Sequence, residues 1–126
     1  MSADVPSPRL AAAAQGALAK NAGSVVILDL REMGGFTDYF LVCTGWSTPQ
    51  IQTIADEIDR RMTAAGMRRA HREGYDKAEW VLLDYGEFVV HIFNEKARLY
   101  FDLERLWRAA RRIEVAESGP GQMAAS

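Results

Sequence analysis

Gly45-Trp46-Ser47 is the place where an enzyme built on this chain would hold a phosphate, although a lone Gly-x-Ser is a weak signal. An apolar strand ends there and a helix begins, and the backbone N–H groups at such a junction attract anions. A nucleotidyltransferase would hold a triphosphate at that position. It would also need two or three carboxylates on a neighbouring strand, commonly as Asp-x-Asp, to hold Mg²⁺ through oxygen ligands. The segment after the helix reads MRRAHREG and carries no Asp-x-Asp or Asp-x-Glu. Asp29, Asp38 and Asp84 are acids at strand ends, where single carboxylates more often form turns or caps. This incomplete metal shell argues against transfer chemistry. A divergent nucleotidyltransferase or nucleotide-binding protein is kept as the alternative.

Nucleophilic catalysis has less support. Cys43 lies inside an apolar strand, where a thiol is usually inert packing, and neither His71 nor His91 is spaced to relay protons with it. His91 interrupts the apolar run FVVHIF, so its imidazole must find hydrogen-bond partners or face outward. A hydrogen-bonded structural histidine is the simpler reading, and a contact with a partner the sharper one. Strand alternation puts Trp80, Leu82 and Asp84 on one face, which would suit a binding surface. Trp107, on the apolar stripe of the last helix, is expected in the core.

These residues need a scaffold, and hydrophobic periodicity supplies one. Residues 9–20 (RLAAAAQGALAK) form a helix rich in alanine, and Asn21 to Gly23 stop it. Residues 24–30 and 39–44 are short β-prone apolar runs. Ser47 caps the next helix, Gln50 is placed to return the bond, and Pro49 is tolerated in the first turn. Ile51, Ile54, Ala55, Ile58, Met62 and Ala65 then recur at helical spacing up to Gly66. Residues 67–72 form a weak edge strand, Glu73-Gly74-Tyr75-Asp76 a turn, and 80–84 and 88–93 a hairpin. The last helix is predicted over 95–113, with Leu99, Leu103, Leu106 and Trp107 on its buried face. The order predicts one α/β domain over residues 9–113, with a mixed five-stranded sheet flanked by helices. Residues 1–8 are a disordered lead-in and 114–126 a disordered tail.

The 126 residues carry fifteen Lys plus Arg against seventeen Asp plus Glu, a formal net charge of −2. Nucleic-acid binding by phosphate neutralisation normally needs a basic excess, so direct DNA or rRNA binding is disfavoured as the main activity, although a local basic patch is allowed. The single cysteine excludes an internal disulfide, no Cys/His cluster suggests a metal, and no apolar window is long enough for a membrane span. These features predict a cytoplasmic protein without a cofactor.

The segments TDYFLVCTGWS, QIQTIADEI, REG followed by WVLLDYGEFVVHIF, and RLYFDLERLW resemble successive motifs of the ribosomal silencing factors, the Iojap/RsfS family. The likeness covers roughly residues 10–108. Its trailing motif falls here on Arg98, Phe101, Leu103, Glu104, Leu106 and Trp107. The resemblance implies a nucleotidyltransferase-like fold without the catalytic acids. It also implies binding to ribosomal protein fourteen of the large ribosomal subunit, so that the small subunit cannot dock and translation is repressed when nutrients are limiting. By motif position, the contact surface would draw on Trp80, Leu82, Asp84 and Tyr85, with His91 and the Glu73-Gly74 turn nearby, whereas Asp38 and Tyr39 would be structural. Pro49 stands where the family often has Arg, and Glu87 replaces the usual Asp of the hairpin turn. The same exposed apolar edge would also suit a homodimer. On this basis Trp80→Ala is expected to cost about 2 kcal/mol of binding while leaving the fold intact.

Overall fold

A computed structural model describes Val5 and residues 7–115. The rest of the predicted lead-in and tail, residues 1–4, 6 and 116–126, lies outside the described residues. The elements in chain order are α1 (Pro8–Ala19), β1 (Gly23–Asp29), β2 (Tyr39–Gly45), α2 (Thr48–Ala64), β3 (His71–Glu73), β4 (Trp80–Asp84), β5 (Phe88–Asn94), α3 (Glu95–Phe101), α4 (Leu103–Leu106) and β6 (Arg111–Glu114). The strands form a single sheet in the order β3-β4-β5-β2-β1-β6. Among the described residues only β2 and β5 pair in parallel, with α2 lying in the stretch of chain that connects them.

The helix starts follow from side-chain capping. Ser7 caps α1 by accepting from the Leu10 N–H at 3.3 Å, so the folded part begins inside the stretch predicted as lead-in. Ser47 caps α2 by accepting from the Gln50 N–H at 3.2 Å. The Gln50 side chain takes the Trp46 N–H at 2.7 Å, and its amide donates to the carbonyls of Lys20 and Asn21 at the end of α1. One side chain therefore fixes both the start of α2 and its seat against α1.

α1 and α2 cover one face of the sheet. Leu10, Ile51, Ile54, Ile58 and Met62 meet Ile27, Leu41, Cys43, Val90 and Ile92 there. The opposite face carries Val26, Leu28, Phe40, Val42, Val89 and Phe93, and the short α3–α4 segment covers it through Ala97 and Leu103. Every residue of the central β2 is buried, as expected for a strand enclosed on both faces.

Two further predictions are corrected. The sheet has six strands, not five, because the last helix does not continue to Ile113. Asp102 takes the left-handed conformation (φ 49°, ψ 55°) and separates α3 from the single turn of α4. Arg111–Glu114 then adds to the free edge of β1, placing Ile113 in the core and joining the Val115 N–H to the Val25 carbonyl. An unpaired strand edge leaves a row of backbone groups unsatisfied, and β6 satisfies those of β1. The second correction concerns the weak edge strand, which forms at His71–Glu73 and not over 67–72.

Candidate functional site

The alternation predicted for β4 is present. Val81 and Leu83 point into the core under α2, whereas Trp80, Leu82 and Asp84 are half-buried on the other face. Trp80 is the centre of an aromatic cluster. Its ring lies 4.4 Å from that of Phe101 and 5.1 Å from that of Phe93. Its indole Nε1–H donates to His91 Nδ1 at 3.0 Å, which puts the neutral imidazole's proton on Nε2. His91 is only 4% exposed and meets the Phe40 ring nearly at right angles at 4.4 Å. It is therefore a hydrogen-bonded histidine beneath the face, and the predicted partner contact through its own ring is corrected. Trp80→Ala would also open the space between Phe93, Phe101 and His91, so that variant is expected to lose some folding stability along with binding.

Burial lowers the His91 pKa from 6.5 to about 3. Between those values the unfolded chain binds a proton that the folded chain does not, so stability rises with pH and is complete above 6.5. Folding stability is expected to fall by about 2 kcal/mol between pH 6.5 and 5, at about 1.4 kcal/mol per pH unit. His91→Gln, which retains an acceptor for Trp80, should flatten that slope. Urea unfolding of both proteins at several pH values measures it.

The remaining predicted contact residues are distributed unevenly. Tyr85 is 6% exposed and lies on the α2 side, where its Oη donates to Asp59 Oδ1 at 2.6 Å while Arg69 donates to Asp59 Oδ2 at 2.6 Å. Its placement on the contact surface is corrected, because one residue beyond β4 the alternation carries it into the core. Burial and then the Asp59 bond push the Tyr85 phenol well above its ordinary value, so it remains a donor. Asp84 turns its carboxylate to the Gly86 N–H at 2.8 Å and shapes the hairpin turn. Glu73 is exposed at the end of β3, 2.6 Å from His71. Glu87 is reached by the Ser7 hydroxyl at 3.2 Å, so its extra methylene is used to hold the start of α1.

Gly74 supports Trp80 directly. Its φ is +78°, and a Cβ there would run into the Trp80 carbonyl. Gly74→Ala is therefore expected to destabilise the domain by about 1–3 kcal/mol through strain and displacement of β4, read as a lower urea midpoint.

The sequence missed the residues that extend this surface. Leu99, Tyr100 and Leu106 are 78%, 80% and 70% exposed, contrary to the burial predicted for Leu99 and Leu106, and Trp107 is half-buried against Phe40. Tyr100 and Phe101 form a common wall between two grooves. One, of about 450 Å³, is lined by Gly74, Lys77, Trp80 and Ala97. The other runs past Leu99 and Leu106 to Arg105 and Arg108. A signal was available in Leu99-Tyr100-Phe101, since three consecutive apolar residues of a helix point about 100° apart and cannot all be buried on one side.

Beneath this surface Arg98 holds the α3–α4 break together. Its Nε and Nη2 donate to the two oxygens of Glu104 at 3.0 and 2.8 Å, Nη1 to Thr44 at 2.8 Å and Nη2 to Ser24 at 3.1 Å. The guanidinium bonds hold the Glu104 carboxyl below its ordinary pKa.

The Gly45 junction has a different geometry from a nucleotide site. Asp29 pairs with Tyr39, Asp84 pairs with Val89 opposite Phe40, and Asp38 directly precedes β2. All three acids therefore stand at the opposite end of the sheet from Gly45, about 20 Å away at strand rise. Asp29 is engaged by Arg31 at 2.8 Å. The Trp46 and Gln50 N–H groups are taken by side chains, and Pro49 has none. Cys43 is buried, and desolvation pushes its thiol up to about 12. No helix among the described residues is long and apolar enough to cross a membrane.

With this geometry established, comparison with known proteins decides the family. The family described as "Ribosomal silencing factor during starvation" matches residues 3–126. The chain belongs to the ribosomal silencing factor family. A Bacillus subtilis protein named ribosomal silencing factor is 42% identical over 88 residues, 70% of this chain and 75% of that protein. A crystal structure from Bacillus halodurans superposes with a TM-score of 0.71 at 39% identity, covering 78% of this chain and 91% of that one. A second, from Chromobacterium violaceum, superposes with a TM-score of 0.77 at 26% identity, covering 89% and 94%. This silencing-factor chain thus carries its exposed aromatic surface on a fold seen in solved structures.

Proposed function

We propose that this chain is a cytoplasmic, non-catalytic regulator of translation. It docks on the large ribosomal subunit through ribosomal protein fourteen, excludes the small subunit by bulk and represses translation when nutrients are limiting, with no cofactor. The observation that carries this reading is the solvent-facing apolar surface running from Trp80 and Leu82 through Phe101 and Tyr100 to Leu99 and Leu106, in a chain of the silencing-factor family. Large aromatics held rigidly beside exposed aliphatics are the composition of an interface centre. Glu73 and the Gly74 turn border it, Asp84 shapes the adjoining hairpin turn, and His91 supports it from below. In the free protein, two copies would meet through the same surface.

The test is binding of the full-length, fluorescently labelled protein to separated large and small subunits and to purified ribosomal protein fourteen. Saturable binding to the large subunit and to the isolated protein, with none to the small subunit, is the expected result. Binding to neither large subunit nor isolated protein would overturn the proposal.

A further inference from the structure

Resting on the proposed docking, we infer that Arg105 and Arg108 make a second, electrostatic contact from the rim of this surface to ribosomal RNA phosphates. The segment Arg105–Arg112 reads RLWRAARR, with four arginines and no acid. Since the whole chain is −2, the other residues sum to −6, so this is a local reversal of sign in an acidic protein. Arg111 and Arg112 lie at β6, and Arg112 is engaged by Glu104 at 3.5 Å and Glu114 at 3.2 Å. Arg105 and Arg108 differ. Both are exposed, and neither forms an ion pair with a carboxylate among the described residues. Both line the groove that Leu99, Tyr100, Phe101 and Leu106 complete, so an object seated on the apolar patch brings its own rim against the two guanidiniums.

Charge selects an anionic occupant. Guanidinium forks recognise phosphate by paired hydrogen bonds. Within the proposed docking on the large subunit, the closely spaced phosphates of ribosomal RNA are the acceptors taken as the occupant. An acidic patch on the protein is the competing occupant, and salt dependence separates the two, because releasing counterions from RNA gives a steep linear dependence of log affinity on log salt.

The experiment measures binding of full-length wild type and of the Arg105→Gln/Arg108→Gln double variant to intact large subunits between about 50 and 200 mM salt, and to purified ribosomal protein fourteen. The expected result is a log–log salt slope shallower by about 1.5 for the variant on subunits, with unchanged affinity for the isolated protein, which also certifies its fold. An unchanged slope on subunits would overturn the RNA contact. An equal loss on the isolated protein would assign the arginines to a protein acid instead, and would also overturn it. Failure of the wild type to bind subunits at any salt would remove the docking proposal itself, a result distinct from either.

Discussion

Tyr100→Ala is expected to weaken binding to the large subunit at least 30-fold, about 2 kcal/mol, while leaving folding stability within about 0.5 kcal/mol. Tyr100 is exposed on α3, and its ring meets that of Phe101 edge to face at 4.9 Å. Alanine is the best helix former, so the helix has no reason to loosen. A loss of binding at constant stability is therefore the signature of an interface residue, and fluorescence titration with parallel urea unfolding reads both. Trp80→Ala gives a less clean result, since Trp80 is both surface and support for Phe93, Phe101 and His91.

The largest stability effect is expected at Arg98. Arg98→Ala removes a bidentate pair with Glu104 and the bonds to Thr44 and Ser24, leaving a half-covered carboxylate with Arg112 at 3.5 Å. Removing one partner of a buried pair costs about 3–5 kcal/mol. The partial exposure of Glu104 and the remaining arginine place this case near the lower end, about 3 kcal/mol, or a fall in Tm of about 10 °C. Arg98→Lys retains the charge but not the fork, and should recover less than half of the loss. Because Arg98 spans the Asp102 break, both variants should also displace Tyr100 and Leu106, so binding should fall with stability here, unlike at Tyr100. Calorimetry and titration on the same samples distinguish the two cases.

Most of the fold was legible because periodicity and caps agreed. The inward stripe of α2, the Ser47 cap and the all-apolar β2 each allow one interpretation. The end of the chain was not legible. Leu99, Leu103 and Leu106 fit a single helical face, and only the left-handed Asp102, a residue tolerated inside helices, breaks it. The alternation of Ile113 and Val115 with charged neighbours was a strand signal too short to outweigh the helix before it. At the site, Trp80 and Leu82 were legible from the period of two. The depth of His91 was not, because alternation assigns a face but does not say that Trp80 and Phe40 cover it. Tyr85 was misplaced because it follows the strand, where the period no longer applies. The exposed half of the surface was hidden by the same error that extended the last helix.

The central claim is that this chain keeps ribosomal subunits apart by occupying the large one. The most direct measurement is a sucrose gradient of purified large and small subunits under reassociating conditions, with and without the full-length protein, following protein and ribosome in the same fractions. Comigration of the protein with the large subunit alone, together with loss of the reassociated ribosome peak and its recovery with Tyr100→Ala, is the expected result. A full peak of reassociated ribosomes at saturating protein would contradict the account.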